Sequence, residues 1–206
     1  MRFKRQNGLK FFPKPDLPRR VSDGFIHIDR KGANMPINPD QLRTLVVRPV
    51  LAALDLSAPD VAENLIMGTA AHESHLGDFI KQVGGGPAMG IYQMEPATLN
   101  DCYENYLDYS SRAALKAKVD AYLAVSPAVA SSTGSGDQPD KASQLATNLA
   151  YATAMCRIRY YRAPAAMPSD PNDINALAAY WKQYYNTPLG AGTPEQFVAD
   201  YQRYIG

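Results

Sequence analysis

Glu73 is the residue of this chain whose type and position best suit it to proton transfer. A start signal at residues 57–60 (SAPD), followed by apolar residues with a helical period, predicts a helix that Gly77 stops. Glu73 lies inside the apolar stripe of this helix, in its last turn. Partial burial and the negative end of the helix dipole both raise the pKa of a carboxyl group. Glu73 is therefore a candidate general acid, with a surface acid paired to a lysine as the alternative interpretation.

Two histidines flank this glutamate, and together they invite comparison with a zinc site. The zinc protease motif places its histidines four residues apart with a glutamate between them, whereas His72 and His75 are three apart. The chain contains three histidines, and the third, His27, is distant in sequence. We therefore predict no metal site. No cofactor is expected either, because the glycine run at residues 84–86 lacks the Lys-Ser/Thr of a phosphate loop.

Three separated segments of the sequence resemble the signature of the lytic transglycosylases. Glu73-Ser74 matches the E-S pair of that signature, and residues 88–98 (AMGIYQMEPAT) match A-x-G-L-M-Q-x-x-P-A-T. Residues 176–180 (ALAAY) match the family's A-L-A-A-Y, so the three segments occur in the family's order. The family continues A-Y-N-A-G at this point, whereas Tyr180 is followed here by Trp-Lys-Gln.

The resemblance covers about residues 57–186 and implies a fold, an activity and a set of site residues. The fold is lysozyme-like, and the activity is cleavage of the β-1,4 bond between N-acetylmuramic acid and N-acetylglucosamine in peptidoglycan glycan strands. Glu73 is the implied catalytic acid and base. The implied substrate-binding residues, which contact the glycan or orient the glutamate, are Ser74, Gln93 and Tyr180, together with Gly90, where the backbone approaches the substrate.

The chemistry of the glycosidic bond leaves two reactions open. A neutral Glu73 can protonate the glycosidic oxygen, and the resulting carboxylate can take a proton from the attacking hydroxyl. In lytic transglycosylases that hydroxyl is the C6-OH of the muramic acid, so one carboxyl group suffices and a 1,6-anhydro sugar forms. Hydrolysis usually recruits a second carboxylate. Four acids near in sequence, each interpreted as a solvated or capping residue, are Asp78, Glu95, Asp101 and Glu104.

The sequence predicts one mainly α domain over residues 39–206, with about seven helices and a small β segment at residues 79–93. The longest helical pattern covers residues 140–162, and residues 126–140 are a loop by composition. A chain of 206 residues that is 46% hydrophobic can bury a substantial core. No apolar run has the roughly 18 residues that a membrane span needs, so we predict no integral membrane segment.

Residues 1–38 are predicted to be an extended basic arm and a lead-in to the domain. Residues 1–20 carry seven basic side chains and one acid, with prolines at positions 13, 15 and 18. Nucleic acid is a possible partner for such an arm. The interpretation we adopt is docking onto an acidic protein neighbour, and nucleic acid is not the expected partner.

A wall-degrading domain with a basic arm and no recognisable secretory signal suits a component of a bacteriophage particle. We predict that the protein is made in the host cytoplasm, is carried in the virion and acts in the host periplasm or cell wall. The arm would bind phage structural proteins. Two alternatives remain: a hydrolytic phage endolysin, or a non-catalytic lysozyme-like structural protein of the virion.

Overall fold

Helices make up most of the described chain in a computed structural model, which describes residues 36–124, 140–187 and 190–206. The α-helices are α1 (Pro39–Leu42), α2 (Arg48–Leu54), α3 (Pro59–Ser74), α4 (Pro96–Cys102), α5 (Ala113–Asp120), α6 (Lys141–Thr147), α7 (Leu149–Tyr161), α8 (Ile174–Trp181) and α9 (Pro194–Tyr204). One π-helical turn each follows α1, α4 and α8: Arg43–Val47, Tyr103–Leu107 and Lys182–Asn186. A 3₁₀ turn, Ser110–Arg112, leads into α5. The mainly α prediction is confirmed.

Two predicted stretches fall largely outside the described residues. The arm and lead-in, residues 1–38, overlap the described part only from residue 36 onward, and the predicted loop at residues 126–140 overlaps it only at Asp140. Within the described residues, no helix has the length and apolar character needed to cross a membrane.

Local capping signals mark the starts of the first and last helices. The Asn38 side chain accepts a hydrogen bond from the Gln41 backbone N–H, and Pro39 occupies the first helical position. At α9, Thr193 and Gln196 form the reciprocal hydrogen bonds of a capping box. These short-range bonds satisfy N–H groups that a helix start otherwise leaves without a partner.

Helix α3, which carries Glu73, begins within the predicted start at residues 57–60 and ends before the predicted stop at Gly77. It begins at Pro59, after Ala58 in a left-handed conformation with φ +54°. It ends at Ser74 rather than Gly77, because His75 and Leu76 both adopt positive φ angles, +52° and +58°. The reversal turns the Leu76 side chain into the core, where it is fully buried. Burial of one side chain thus overrides the helical pattern of the sequence.

The predicted helix at residues 140–162 is two helices. Asn148 leaves helical geometry with φ −132° and ψ 96°, and its side chain caps α7 by accepting from the Tyr151 N–H. Its amide also donates to the Tyr122 carbonyl at 2.7 Å. These two side-chain hydrogen bonds of Asn148 favour the start of a new helix over continuation of α6.

The predicted β segment is a looped stretch with no strand in it. Residues 79–94 form two isolated bridges, Lys81 with Met89 and Met89 with Met94, and no longer ladder occurs in the described ranges. Glycines in this stretch with positive φ, such as Gly84, weaken strand geometry. The stretch connects α3 to α4 and forms one side of the site described below.

The core consists of two clusters of buried side chains. The first joins α3, α8 and α9, and the second joins α2, α4, α5 and α7. Helices α3 and α9 lie so close that a Cβ added at Gly68 would come within 2.3 Å of the Phe197 ring. This close packing fixes the position of α9 and α8 relative to the end of α3.

Reductant is expected to leave the melting temperature unchanged. Cys102 lies in the second cluster and Cys156 in the first, both buried as free thiols. Thermal melts followed by circular dichroism, with and without dithiothreitol, provide the measurement. A fall in melting temperature under reductant that disappears in a Cys102→Ala, Cys156→Ala variant would show that a disulfide stabilises the protein.

Candidate active site

A cleft of about 650 Å³ opens beside the C-terminal end of α3. Four parts of the chain line it: the end of α3, the 79–95 stretch with the start of α4, one residue of α7, and the segment after α8. The lining residues used below are His72, Glu73, Gln93, Glu95, Arg159, Tyr185, Asn186 and Gly192. Its volume lies in the range of about 300–1,000 Å³ that is typical of ligand sites.

Glu73 is half-buried in this cleft and has the raised pKa that partial burial predicts. Its Oε1 accepts a hydrogen bond from the Trp181 indole N–H at 3.0 Å. Burial raises the pKa of Glu73 to about 7, against the opposing effects of the Trp181 hydrogen bond and the Arg159 guanidinium. Near neutral pH both protonation states are therefore populated, as a group that gives and takes a proton requires.

Ser74 lies behind the cleft and is fully buried. Its hydroxyl donates to the Ile91 carbonyl at 2.6 Å, and its oxygen accepts from the Gly77 N–H at 2.9 Å. The serine therefore ties the end of α3 to the stretch that carries Gln93. Two roles are predicted for Ser74: orienting the glutamate or contacting the glycan. The hydrogen bonds of its hydroxyl group to the backbone fit the first role.

A Ser74→Ala variant is expected to be destabilised by about 1–3 kcal/mol, because the Ile91 carbonyl and the Gly77 N–H lose a buried partner. Urea unfolding measures the change. The matched control is Ser143→Ala, which removes an exposed serine hydroxyl from α6 and should cost less than about 0.5 kcal/mol. Equal stabilities of the two variants would contradict the tying role.

Gly90 is not among the residues that line the cleft, and the predicted approach of its backbone to substrate stays a prediction. It has φ +76°, and an added Cβ would lie 1.8 Å from the Leu145 carbonyl oxygen. The close neighbour that requires a glycine is thus the backbone of α6. Gln93 does line the cleft, with φ +45°, and its side-chain amide donates to the Gly90 carbonyl at 2.7 Å.

Tyr180 is likewise not among the residues that line the cleft. Its hydroxyl donates to the Ala165 carbonyl at 2.9 Å, and its ring packs against that of Tyr184. The next residue, Trp181, contacts Glu73 instead. Successive residues of a helix point about 100° apart. Tyr180, the residue that matches the last position of A-L-A-A-Y, therefore points away from Glu73, whereas the adjacent Trp181 contacts it.

Sequence reasoning missed three further residues around the glutamate: Trp181, Tyr185 and Arg159. Tyr185 donates its hydroxyl to the Tyr92 carbonyl at 2.8 Å, and Arg159 donates to the Tyr185 carbonyl. A signal for Tyr185 is present, because Tyr185-Asn186 supplies the Tyr-Asn pair of A-Y-N-A-G five residues after Tyr180. Both residues of the pair line the cleft.

Among the four acids considered as a second carboxylate, Glu95 lines the cleft and the other three do not. Glu95 is exposed at the start of α4. Asp101 pairs with Arg162, which follows α7, and Glu104 is exposed. Glu95 is therefore the acid to test if the reaction is hydrolysis.

The two histidines beside Glu73 have separate partners. His72 Nδ1 lies 2.7 Å from Asp200 Oδ2, whereas the His75 ring stacks on Tyr204. Burial lowers the pKa of His72, against the opposing effect of Asp200. No cluster of three or more metal-ligating side chains occurs within the described ranges.

Comparison with known proteins finds no matching protein-family model, no matching curated protein and no matching solved structure. The features that bear on function are therefore the cleft, the environment of Glu73 and the three signature-like segments.

Proposed function

We propose that this protein cleaves the β-1,4 bond between N-acetylmuramic acid and N-acetylglucosamine in peptidoglycan, as a lytic transglycosylase with a lysozyme-like fold. The observation that carries the proposal is the state of Glu73. Its carboxyl group lies in a cleft of suitable size, is held by a fixed donor and has a pKa of about 7. The segments around it are those that resemble the family signature.

The proposed reaction uses the Glu73 carboxyl group twice. In the first step the neutral group protonates the glycosidic oxygen, and the bond breaks through an oxocarbenium-like state. In the second step the Glu73 carboxylate takes the proton of the C6-OH, whose oxygen attacks the anomeric carbon. A 1,6-anhydro sugar results, and Glu73 returns to its protonated form.

Hydrolysis is the second candidate, because Glu95 lines the same cleft. A carboxylate at that position could activate a water molecule in place of the C6-OH. A non-catalytic structural role has less support, because a scaffold needs no carboxyl group with a raised pKa in an open cleft. The virion setting and the partners of the arm stay predictions from the sequence.

Release of soluble fragments from dye-labelled, purified sacculi tests the proposed activity. We expect release by catalytic amounts of protein, with a rate that falls as the pH rises above about 7, because the first step needs protonated Glu73. No release by folded protein between pH 5 and 8 would overturn the proposal and favour the structural module.

A further inference from the structure

The hydrogen bond between Trp181 and Glu73 favours one carboxyl oxygen as the carrier of the acidic proton. An indole N–H can donate but cannot accept. Because it donates to Oε1 at 3.0 Å, that oxygen acts as an acceptor in both protonation states of Glu73. The carbonyl oxygen is the stronger acceptor of a neutral carboxyl group, so this bond favours the proton of the neutral acid on Oε2.

Packing on several sides holds the indole in place. Trp181 is fully buried, with the edge of the His72 ring at 4.5 Å and the Phe197 ring at 5.3 Å between centroids. A Cβ added at Gly192 would lie 2.7 Å from the indole, so the chain there fits only without a side chain. Asp200 in turn holds His72 through Nδ1. The donor is therefore preorganised and does not need to move during the reaction.

We propose that Trp181 is a positioning residue, whose indole N–H fixes the Glu73 carboxyl group and stabilises the carboxylate formed when Oε2 gives its proton to the glycosidic oxygen. The inference rests on the proposed role of Glu73 as the acid. A hydrogen bond to a charged acceptor is stronger than one to a neutral acceptor. Trp181 thus favours the state that follows proton transfer and makes Glu73 a stronger acid than burial alone would allow.

The charged and titratable groups around Glu73 must be considered before a change near pH 7 is assigned to Glu73 itself. The Arg159 guanidinium from α7 is a fixed cation that also favours the carboxylate. Burial raises the pKa values of three neutral neighbours, which therefore keep their protons: Cys156, Tyr160 and Tyr185. Two further titratable groups of the described residues lie in the same cleft. They are His72, adjacent in α3 and paired with Asp200 of α9, whose pKa burial lowers, and the exposed Glu95 at the start of α4.

The first test compares a Trp181→Phe variant with the wild-type protein in the sacculus assay across pH 5 to 9. Loss of the N–H should lower kcat about 10- to 100-fold and move the alkaline limb of the pH profile upward by about one to two units. The matched control is Phe197→Leu, which removes packing from the indole but keeps the N–H. A merely structural role predicts lower activity with an unmoved pH profile in both variants, and that result would overturn the inference.

The second test needs no substitution at Trp181, which guards against a variant that fails to fold. Trp181 is the single tryptophan of the chain, so intrinsic tryptophan emission reports on this indole alone. We expect the emission of the wild-type protein to titrate with a midpoint near pH 7, where Glu73 ionises. The titration should persist in His72→Asn and disappear in Glu73→Gln. Emission that does not change near pH 7, or a titration that survives in Glu73→Gln, would overturn the inference.

The two tests separate this inference from the proposed function. No release of fragments by the folded wild-type protein would remove the proposed function, whatever the emission shows. Full activity of Glu73→Gln would remove the acid assignment on which the inference rests. An inactive Glu73→Gln variant combined with an unmoved Trp181→Phe pH profile would remove the role of Trp181 and leave the acid assignment intact.

Discussion

A Glu73→Gln variant is expected to release soluble fragments from sacculi about 10²- to 10⁴-fold more slowly than the wild-type protein while keeping its fold. Glutamine has the same shape as glutamate, and its amide oxygen can still accept the Trp181 hydrogen bond. It cannot deliver a proton to the glycosidic oxygen. Initial rates in the dye-release assay measure the loss, and circular dichroism measures the fold.

The matched control for this variant is Glu95→Gln, which removes an exposed carboxyl group from the same cleft. If Glu73 is the single acid and base, the Glu95 variant keeps most of its activity. Equal losses in the two variants would indicate a pair of carboxylates and hence hydrolysis. Retained activity in Glu73→Gln would exclude Glu73 as the acid.

A Gly90→Ala variant should lose about 2–5 kcal/mol of unfolding free energy. The left-handed backbone at φ +76° costs about 1–2 kcal/mol with a side chain present. The contact of the new Cβ with the Leu145 carbonyl oxygen at 1.8 Å adds about 1–3 kcal/mol of overpacking. Urea unfolding provides the measurement.

Gly84→Ala is the control for the backbone contribution, because Gly84 has a similar φ of +87° but no atom within 4 Å of an added Cβ. The difference between the two variants isolates the contact with Leu145. Equal destabilisation would show that this contact is absent. Lost activity with unchanged stability in Gly90→Ala would support the substrate contact implied by the resemblance.

The features that could be predicted from the sequence depend on short-range interactions. The Asn38 cap and the Thr193 capping box each involve residues within three positions of one another, and both can be identified from the sequence pattern. The position of Glu73 in the last turn of α3 follows from helical period alone. Its raised pKa follows from burial, which the apolar stripe indicates.

The features that could not be predicted depend on contacts between distant segments. The break at Asn148 requires the Tyr122 carbonyl as a partner, and the end of α3 requires a core that accepts Leu76. The sequence does not indicate whether Tyr180 or Trp181 contacts Glu73, because the answer depends on how α8 is rotated about its own axis. Packing of α8 against α3 and α9 sets this rotation, and a local sequence pattern does not predict such packing.

Mass spectrometry of the soluble products from purified sacculi is the most direct test of the central claim, that one carboxyl group cleaves the glycan by intramolecular attack. The wild-type protein should release muropeptides that end in 1,6-anhydro-N-acetylmuramic acid, and Glu73→Gln should release almost none. Muropeptides with reducing ends would show that water attacks and that the enzyme is a hydrolase. The absence of any soluble product from folded wild-type protein would contradict the proposed function itself.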